Sequence, residues 1–503
     1  MKTRGADALM RVLRERDVTQ VFTVSGNHVM PAFDAALDAG IHLVHARHEA
    51  ATVHMADAFA RVSGQVGVAL VTGGPGHANA ISALYTARMA EAPVVLLSGH
   101  APRAQLGMGA FQEMAQADLA LPLTKAAWTC GGPDTVASDV SRAIDIACAG
   151  RPGPVSLSLP SDALEGDAGS GIDHSPEAAP ETLDPALADA IVARLQQAAR
   201  PIVIVGPASM TRHGRMGAIA MEAATGIPVV GMESPRGIAD PSLGAFGEML
   251  AQADCVLLVG KRGDFTLRFA MPPALAADCT FLQIDADADE FARTRRAVGD
   301  RLALVARAPA YAALRRLADH ASAMPRGRHT AWQHEVEAAI AYRPRDWNNL
   351  SSNHPDRLHP LEALRPLQPL LDADSDSVFV SDGGEFGQWA QACLRAPHRV
   401  INGMAGSIGS ALAYAIGARC ALSDVPIVAT LGDGTFGFHA TEIDTAARYD
   451  LPFVAVVGND ARWNAEYQIQ LREYGADRLV GCELALTRYD AVCAALGGHG
   501  ELV

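Results

Sequence analysis

The stretch TLGDGTFGFHATEIDTAARYDLPFVAVVGND (residues 430–460) holds two apolar runs, each ending on oxygen-bearing side chains. The first stops at Gly432, before Asp433 and Gly434; the second stops at Gly458, before Asn459 and Asp460. The segment between them has helical composition, and a helix is expected from about Phe436 to Tyr449. Strand, helix, strand is a βαβ unit, whose two strands lie parallel in one sheet. Parallel strands bring their carboxyl ends to the same edge, where such sheets bind ligands. Asp433 can therefore converge with the Asn459–Asp460 pair, although 24 residues separate Gly434 from Asn459. The glycines flanking Asp433 let the backbone approach a ligand, and the following helix offers N–H groups to a phosphate. Two hard oxygen ligands beside a phosphate suit Mg²⁺ or Ca²⁺ rather than zinc. Taken one at a time, each of these side chains reads as a cap or turn residue after a strand. Their pairing inside one βαβ unit favours the ligand reading.

The same alternation runs through the chain. HLVHAR (42–47), VGVALVT (66–72), PVVLLSG (93–99) and PVSLSLP (154–160) read as buried strands, with helical stretches such as EAATVHMADAFARVSG (49–64) between them. RPIVIVG (200–206), IPVVGM (227–232), CVLLVG (255–260) and TFLQIDAD (280–287) repeat the pattern, as do VFVSDGG (378–384), PIVATLGDG (426–434) and PFVAVVGND (452–460). The expected fold is α/β, with three doubly wound parallel-sheet domains at 1–165, 183–320 and 355–503. The Gly-, Asp- and Pro-rich segment 165–182 reads as a linker, and 321–355 as a second connection containing a helix. A doubly wound sheet would carry at least one more strand and helix after LGGHGELV (496–503).

Composition narrows the classes. A formal charge of −15 argues against nucleic acid as a general partner. The apolar runs are short and broken, so no membrane span is expected, and the amphipathic start MKTRGADALMRVLRERDV lacks the apolar region of a signal peptide. The eight cysteines are scattered without a CxxC pair and read as buried free thiols. The expected location is cytoplasmic.

The spacing GDG-x(24)-N resembles the thiamine diphosphate motif. RHEAATVHMADAFARVSGQVGVALVTGGPGHANAISALYTARMAEAPVVLLSG (47–99), AFQEM (110–114) and GSIGSALAYAIGA (406–418) extend the resemblance to acetolactate synthase and benzaldehyde lyase. It covers nearly the whole chain, in the order pyrimidine domain, central domain, diphosphate domain. What it implies for the site is specific. Thiamine diphosphate is held with Mg²⁺ (or Ca²⁺) by Asp433, by Asp460 and by the backbone carbonyl of Arg462, with Asn459 as the alternative ligand. Asp460 is a departure, because relatives carry an amide there. Glu49 would hydrogen-bond N1′ of the aminopyrimidine and promote loss of the thiazolium C2 proton. Ile408 would wedge between the two rings, and the Gly406 carbonyl would accept from the 4′-amine. Further cofactor contacts are implied for Gly73, Asn79, Gly384, Glu385, Gly432, Gly434, Thr435 and Trp463. On the substrate side, SGNH (25–28) resembles benzaldehyde lyase, which implies catalytic roles for His28 and Gln112. His77 could equally face the cofactor.

The resemblance implies a carboligase or lyase that makes or cleaves C–C bonds of 2-oxo acids, aldehydes or 2-hydroxy ketones. An alternative is a 2-hydroxyacyl-CoA lyase or oxalyl-CoA decarboxylase, which GKRGDFTLRFAMPPALAADCTFLQIDAD (260–287) also resembles; that branch can hold an adenine nucleotide in the central domain. A reading of another class is a non-catalytic scaffold that binds the cofactor. The partners implied are a small carbonyl substrate and a second copy of the chain, since Glu49 and the GDG segment come from different subunits in the family. That makes a homodimer the minimum, with a tetramer expected.

Overall fold

The computed structural model describes residues 3–169, 182–322 and 329–503. Within them the first sheet contains β1 (Gln20–Thr23), β2 (His42–His45), β3 (Gly67–Val71), β4 (Val94–His100), β5 (Ala126–Thr129) and β6 (Val155–Pro160), in the order β2-β1-β3-β4-β6-β5. The second contains β7 (Pro201–Val205), β8 (Val229–Gly231), β9 (Cys255–Val259), β10 (Thr280–Asp285) and β11 (Leu302–Arg307), ordered β11-β10-β9-β7-β8. The third contains β12 (Val378–Ser381), β13 (His398–Ile401), β14 (Ile427–Gly432) and β15 (Val454–Gly458), ordered β13-β12-β14-β15. Pairing is parallel throughout the first two sheets and between β14 and β15. The winding reverses between β1 and β3 in the first sheet, where β6 also lies between β4 and β5, between β7 and β9 in the second, and between β12 and β14 in the third. Ligand crevices of open α/β sheets form at such reversals, outside the carboxyl ends of the strands.

All eleven apolar runs read as strands form strands. The linker expected at 165–182 lies largely outside the described residues, as do residues 323–328 of the second connection; the helix expected there is Thr330–Ala341. The helix expected from Phe436 begins earlier, at Asp433, and breaks after His439 before resuming at Glu442–Arg448. All eight cysteines are free, but only Cys130, Cys255, Cys279 and Cys482 are buried; Cys148 is exposed. No helix among the described residues is long and apolar enough to cross a membrane.

The chain forms two compact units. One comprises the described residues up to 169 with Val380–Glu385 and Ser407–Val503; the other comprises the described residues from 182 to 379 and from 386 to 406. The second unit packs two apolar layers on its five-stranded sheet, one around Val203, Leu257 and Leu314, the other around Ile204, Phe246 and Phe281. In the first unit, one face of the six-stranded sheet is covered by the helices Gly5–Glu15 and Val136–Cys148. The other face carries the helix Glu49–Ser63, whose ring-capped start (His48 Nδ1 accepts from the Ala50 N–H, 3.1 Å) follows β2 directly.

That helix is alanine-rich, so a second helix can approach it closely. The helix Ala411–Ala421 lies on it, with Ala413 and Ile416 joining Val53 and Met55 in one core. Gly417 is the point of closest approach: a Cβ there would stand 2.1 Å from the Met55 carbonyl oxygen. Tyr414 is fully buried beside it and donates its hydroxyl to Asp57 Oδ2 at 3.0 Å. Gly417→Ala should force the two helices apart and cost roughly 1–3 kcal/mol, read as a lower urea midpoint with an unchanged m-value.

Candidate active site

β14 and β15 pair in a register that sets Gly432 opposite Gly458, so Asp433 and the Asn459–Asp460 pair leave the sheet side by side. Asp433 is buried, and its Oδ2 has no hydrogen-bond partner. Burial, and then the neighbouring carboxylate of Asp460, push the Asp433 pKa up, opposed by backbone N–H groups of Gly434 and Arg462. An orphaned carboxylate oxygen beside a second carboxylate is an arrangement that a cation relieves. Asn459 is engaged elsewhere: its Nδ2 donates to the Thr487 carbonyl (2.9 Å) and its Oδ1 accepts from the Ala461 N–H (3.3 Å).

The floor of this corner is built by close approach. The Trp463 indole lies on Gly434 so tightly that a Cβ would fall 2.7 Å from the ring, and Phe438 meets the indole edge-on at 6.3 Å. A Cβ at Gly432 would meet nothing nearer than Thr435 Oγ1 at 4.0 Å, which leaves room beside Asp433. Thr435 Oγ1 itself donates to the Gly432 carbonyl at 3.0 Å. Asn464 Nδ2 donates to Glu385 Oε2 (2.8 Å), tying the segment after β15 to the turn after β12, where Gly384 adopts φ +83°.

Asp382, just after β12, is a buried residue that the motif reading passed over. Its fully buried carboxylate accepts from Gly383 (2.7 Å), from Gly409 (2.9 and 3.1 Å) and from Ala411 (3.1 Å). It thereby fixes the turn that carries half-buried Ile408. Burial drives its pKa to about 6, against those three N–H groups. Gly406 belongs to the other compact unit and has φ +67°.

A second group forms at the reversal between β1 and β3. Glu49 opens its helix; its Oε2 accepts from Asn79 Nδ2 at 2.9 Å and its Oε1 lies over Gly76. Asn79 is exposed. Gly73 and Gly74 form the turn after β3, with a Cβ at Gly73 falling 2.6 Å from the Gly99 carbonyl. Buried Gln116, also missed from sequence, braces that turn: it accepts from the Gly74 N–H (2.8 Å) and donates to the Gly99 carbonyl (3.1 Å). A glutamine in a helical run gave no signal, since its role rests on a contact 42 residues away.

His28 comes to the same place. It is buried, its Nδ1 lies 3.2 Å from Thr72 Oγ1, and its ring stacks on Phe111 with centroids 6.1 Å apart. Burial, with His100 nearby, lowers its pKa, so the ring is neutral at pH 7. Gln112 holds φ +57° and sets its carbonyl against Gly74. His77 is a satisfied core histidine instead, with Nδ1 at 2.8 Å from Ser98 Oγ and Nε2 at 3.0 Å from the Gln116 carbonyl. Within one chain, the ring of His48 lies 5.7 Å from that of His439, at the end of the helix Asp433–His439. The connection carrying Glu49 thus meets the far end of that helix from Asp433, about 9 Å along its axis.

The two carboxylates at one sheet edge and the helix-opening Glu49 lie in the two segments at the ends of the chain. Family models cover both segments and the part between them. Residues 3–119 match the thiamine pyrophosphate enzyme N-terminal TPP binding domain, 188–317 the central domain and 382–503 the C-terminal TPP binding domain. The chain belongs to the thiamine pyrophosphate enzymes. It is 31% identical to "Probable acetolactate synthase" of Mycobacterium bovis over 98% of this chain and 90% of the relative's. It is 29% identical to "2-hydroxyacyl-CoA lyase 2" of Caenorhabditis elegans over 100% of this chain and 85% of the relative's. The protein is a thiamine diphosphate-dependent enzyme that makes or breaks carbon–carbon bonds.

Two measurements follow. Gly434→Ala should displace the indole and weaken thiamine diphosphate binding by roughly tenfold or more, read by quenching of tryptophan fluorescence, with the thermal midpoint nearly unchanged. Asp382 has a folded pKa above its unfolded value of 3.8, so the stability linked to it is full below that pH and is lost as pH rises through about 6. Urea unfolding should show the wild type losing up to about 3 kcal/mol relative to Asp382→Asn between pH 4 and pH 7.

Proposed function

We propose that this enzyme is a divalent-metal-dependent carboligase or lyase acting on small 2-oxo acids, aldehydes or 2-hydroxy ketones. The observation that carries the reading is the orphaned Oδ2 of buried Asp433 beside Asp460. Asp433, Asp460 and the Arg462 carbonyl would hold Mg²⁺ (or Ca²⁺) against the diphosphate, since hard oxygen donors suit those ions. Asn459 is the weaker candidate ligand, because its amide already bonds backbone on both sides. Thr435, Gly432, Gly434, Gly384, Glu385 and Trp463 would line the diphosphate side, and Gly73, Asn79, Gly406 and Ile408 the rings.

Thiamine diphosphate, when bound, supplies a nucleophilic carbon that attacks or releases a carbonyl carbon. The protein supplies position and protons. Asn79 holds one oxygen of Glu49, leaving Oε1 to share a proton with the aminopyrimidine. Asp382 sets the backbone that presents Ile408 as the ring wedge. His28, neutral and anchored at Thr72, takes or returns the proton of a substrate hydroxyl, and Gln112 orients the carbonyl.

The active form is a homodimer or tetramer in this reading. It is supported by the exposed face of the helix Pro75–Ala90, where Ala78, Asn79, Ser82 and Tyr85 stand together. A cytoplasmic location is supported by eight cysteines without a disulfide. A 2-hydroxyacyl-CoA lyase is the second reading, favoured by the full-length similarity to a protein of that name.

Incubation with cofactor, Mg²⁺ and, separately, pyruvate, benzaldehyde, benzoin or a 2-hydroxyacyl-CoA will decide by product mass. Acetolactate or interconversion of benzoin and benzaldehyde is expected; turnover confined to the CoA thioester would replace the first reading by the second. Glu49→Gln should lower turnover by about 10²–10⁴-fold with an unchanged unfolding midpoint. Chelation and dialysis should release the cofactor, and added Mg²⁺ or Ca²⁺ should restore its binding.

A further inference from the structure

The connection between β2 and the helix Glu49–Ser63 is held by side chains from the opposite end of the chain. Glu442, which opens the helix Glu442–Arg448, is fully buried. Its Oε1 accepts from the backbone N–H groups of Arg47 (3.1 Å) and His48 (3.1 Å), and its Oε2 accepts from Thr445 Oγ1 (2.7 Å). Seven residues on, the Tyr449 hydroxyl accepts from the His45 N–H (3.0 Å), and Arg448 donates to the His45 carbonyl (2.6 Å). The N–H of Ala46 bonds Thr23 across the sheet. Of the four backbone N–H groups from His45 to His48, three therefore end on the segment Glu442–Tyr449. The next residue is Glu49.

A buried carboxylate is costly to desolvate, and burial pushes this one's pKa up. Plain packing between two α/β halves would be served by an apolar side chain. A carboxylate here does what no apolar residue can, which is to accept two adjacent backbone N–H groups that face away from the sheet. We propose that Glu442 is a positioning residue for Glu49: it fixes the φ/ψ path of residues 47 and 48 and so sets where the Glu49 carboxyl stands. The inference rests on the reading of Glu49 as the activating acid. It also has a consequence for architecture. The segment that starts with Asp433 at the diphosphate corner runs on, nine residues later, to the residue that orients the activating carboxylate of its own chain. One stretch of sequence thus serves both ends of the chemistry.

The test uses the full-length holoenzyme with Mg²⁺ and thiamine diphosphate, and the apo protein beside it. Glu442→Ala should lower kcat about 10²-fold, because a displacement near 1 Å has that effect on an oriented group. KM and the cofactor Kd should stay within threefold. Exchange of the cofactor C2 hydrogen for deuterium should slow by the same factor as kcat. In the apo protein, amide exchange of residues 45–50 should quicken by tenfold or more, with exchange in the second unit unchanged. Glu442→Gln, which keeps one accepting oxygen, should fall between Ala and wild type in every readout. If Glu442→Ala does not fold, Thr445→Val, which removes the bond to Oε2 together with the hydroxyl that accepts from Arg448 at 3.2 Å, should give the same pattern in weaker form.

The proposal is overturned if kcat and C2 exchange stay within threefold of wild type while residues 45–50 loosen. It is equally overturned if exchange rises uniformly and activity falls only with the folded fraction. Retention of activity by Glu49→Gln would instead refute the reading of Glu49, and the apo exchange data would still report whether Glu442 fixes the connection.

Discussion

The structure depends on how closely one helix, Glu49–Ser63, is approached by another from 360 residues later. At Gly417 there is no room for a Cβ, because the Met55 carbonyl would lie 2.1 Å away. The alanines on both sides, Ala51, Ala58, Ala413 and Ala415, are fully buried and keep the crossing narrow. Such a contact gains dispersion from every atom along it and excludes water from the polar groups it traps. Tyr414 donates to Asp57 Oδ2 inside it, and the Arg61 guanidinium lies 3.9 Å from Asp57 Oδ1. The first and last thirds of the chain thereby become one unit.

Buried acids are the other theme. Asp382 and Glu442 each spend their oxygens on backbone N–H groups of a neighbouring turn, and each turn carries a proposed cofactor residue. Asp433 differs, because one of its oxygens accepts nothing and a second carboxylate stands near it. Burial raises all three pKa values for the same reason, the low dielectric around the charge. What separates scaffold from site is the satisfaction of the oxygens. A carboxylate whose lone pairs are filled by N–H groups holds geometry; Asp433, with one oxygen unfilled beside Asp460, is the carboxylate on which the proposed metal site rests.

The fold was largely legible because most of the eleven strands are Val-, Ile- and Leu-rich runs, several of which stop beside Gly, Asp or Ser, and buried parallel strands carry that signature. Four strands were not. Gln20–Thr23, Ala126–Thr129 and His398–Ile401 are short and mix polar with apolar residues, and Leu302–Arg307 is an edge strand of mixed character. The helix after Gly432 starts at Asp433, three residues before the start expected from composition, and Trp463 packs on Gly434 in its first turn.

The local sequence was enough to determine which residues stand at strand ends. The spacing from Asp433 to Asp460 is that of one βαβ crossover, and the right-handed parallel connection leaves a single edge where both can emerge. Glu49 and Gln112 are candidates through their flanking motifs, not through their own chemistry. Tertiary structure decided everything that needs two distant segments at once. Gln116 bracing the Gly74 turn, Asp382 holding the Gly409 backbone, and Glu442 reaching Arg47 and His48 across 395 and 394 residues leave no local trace. The reason is physical: a hydrogen bond to backbone asks nothing of the partner's side chain, so neither sequence records the pairing.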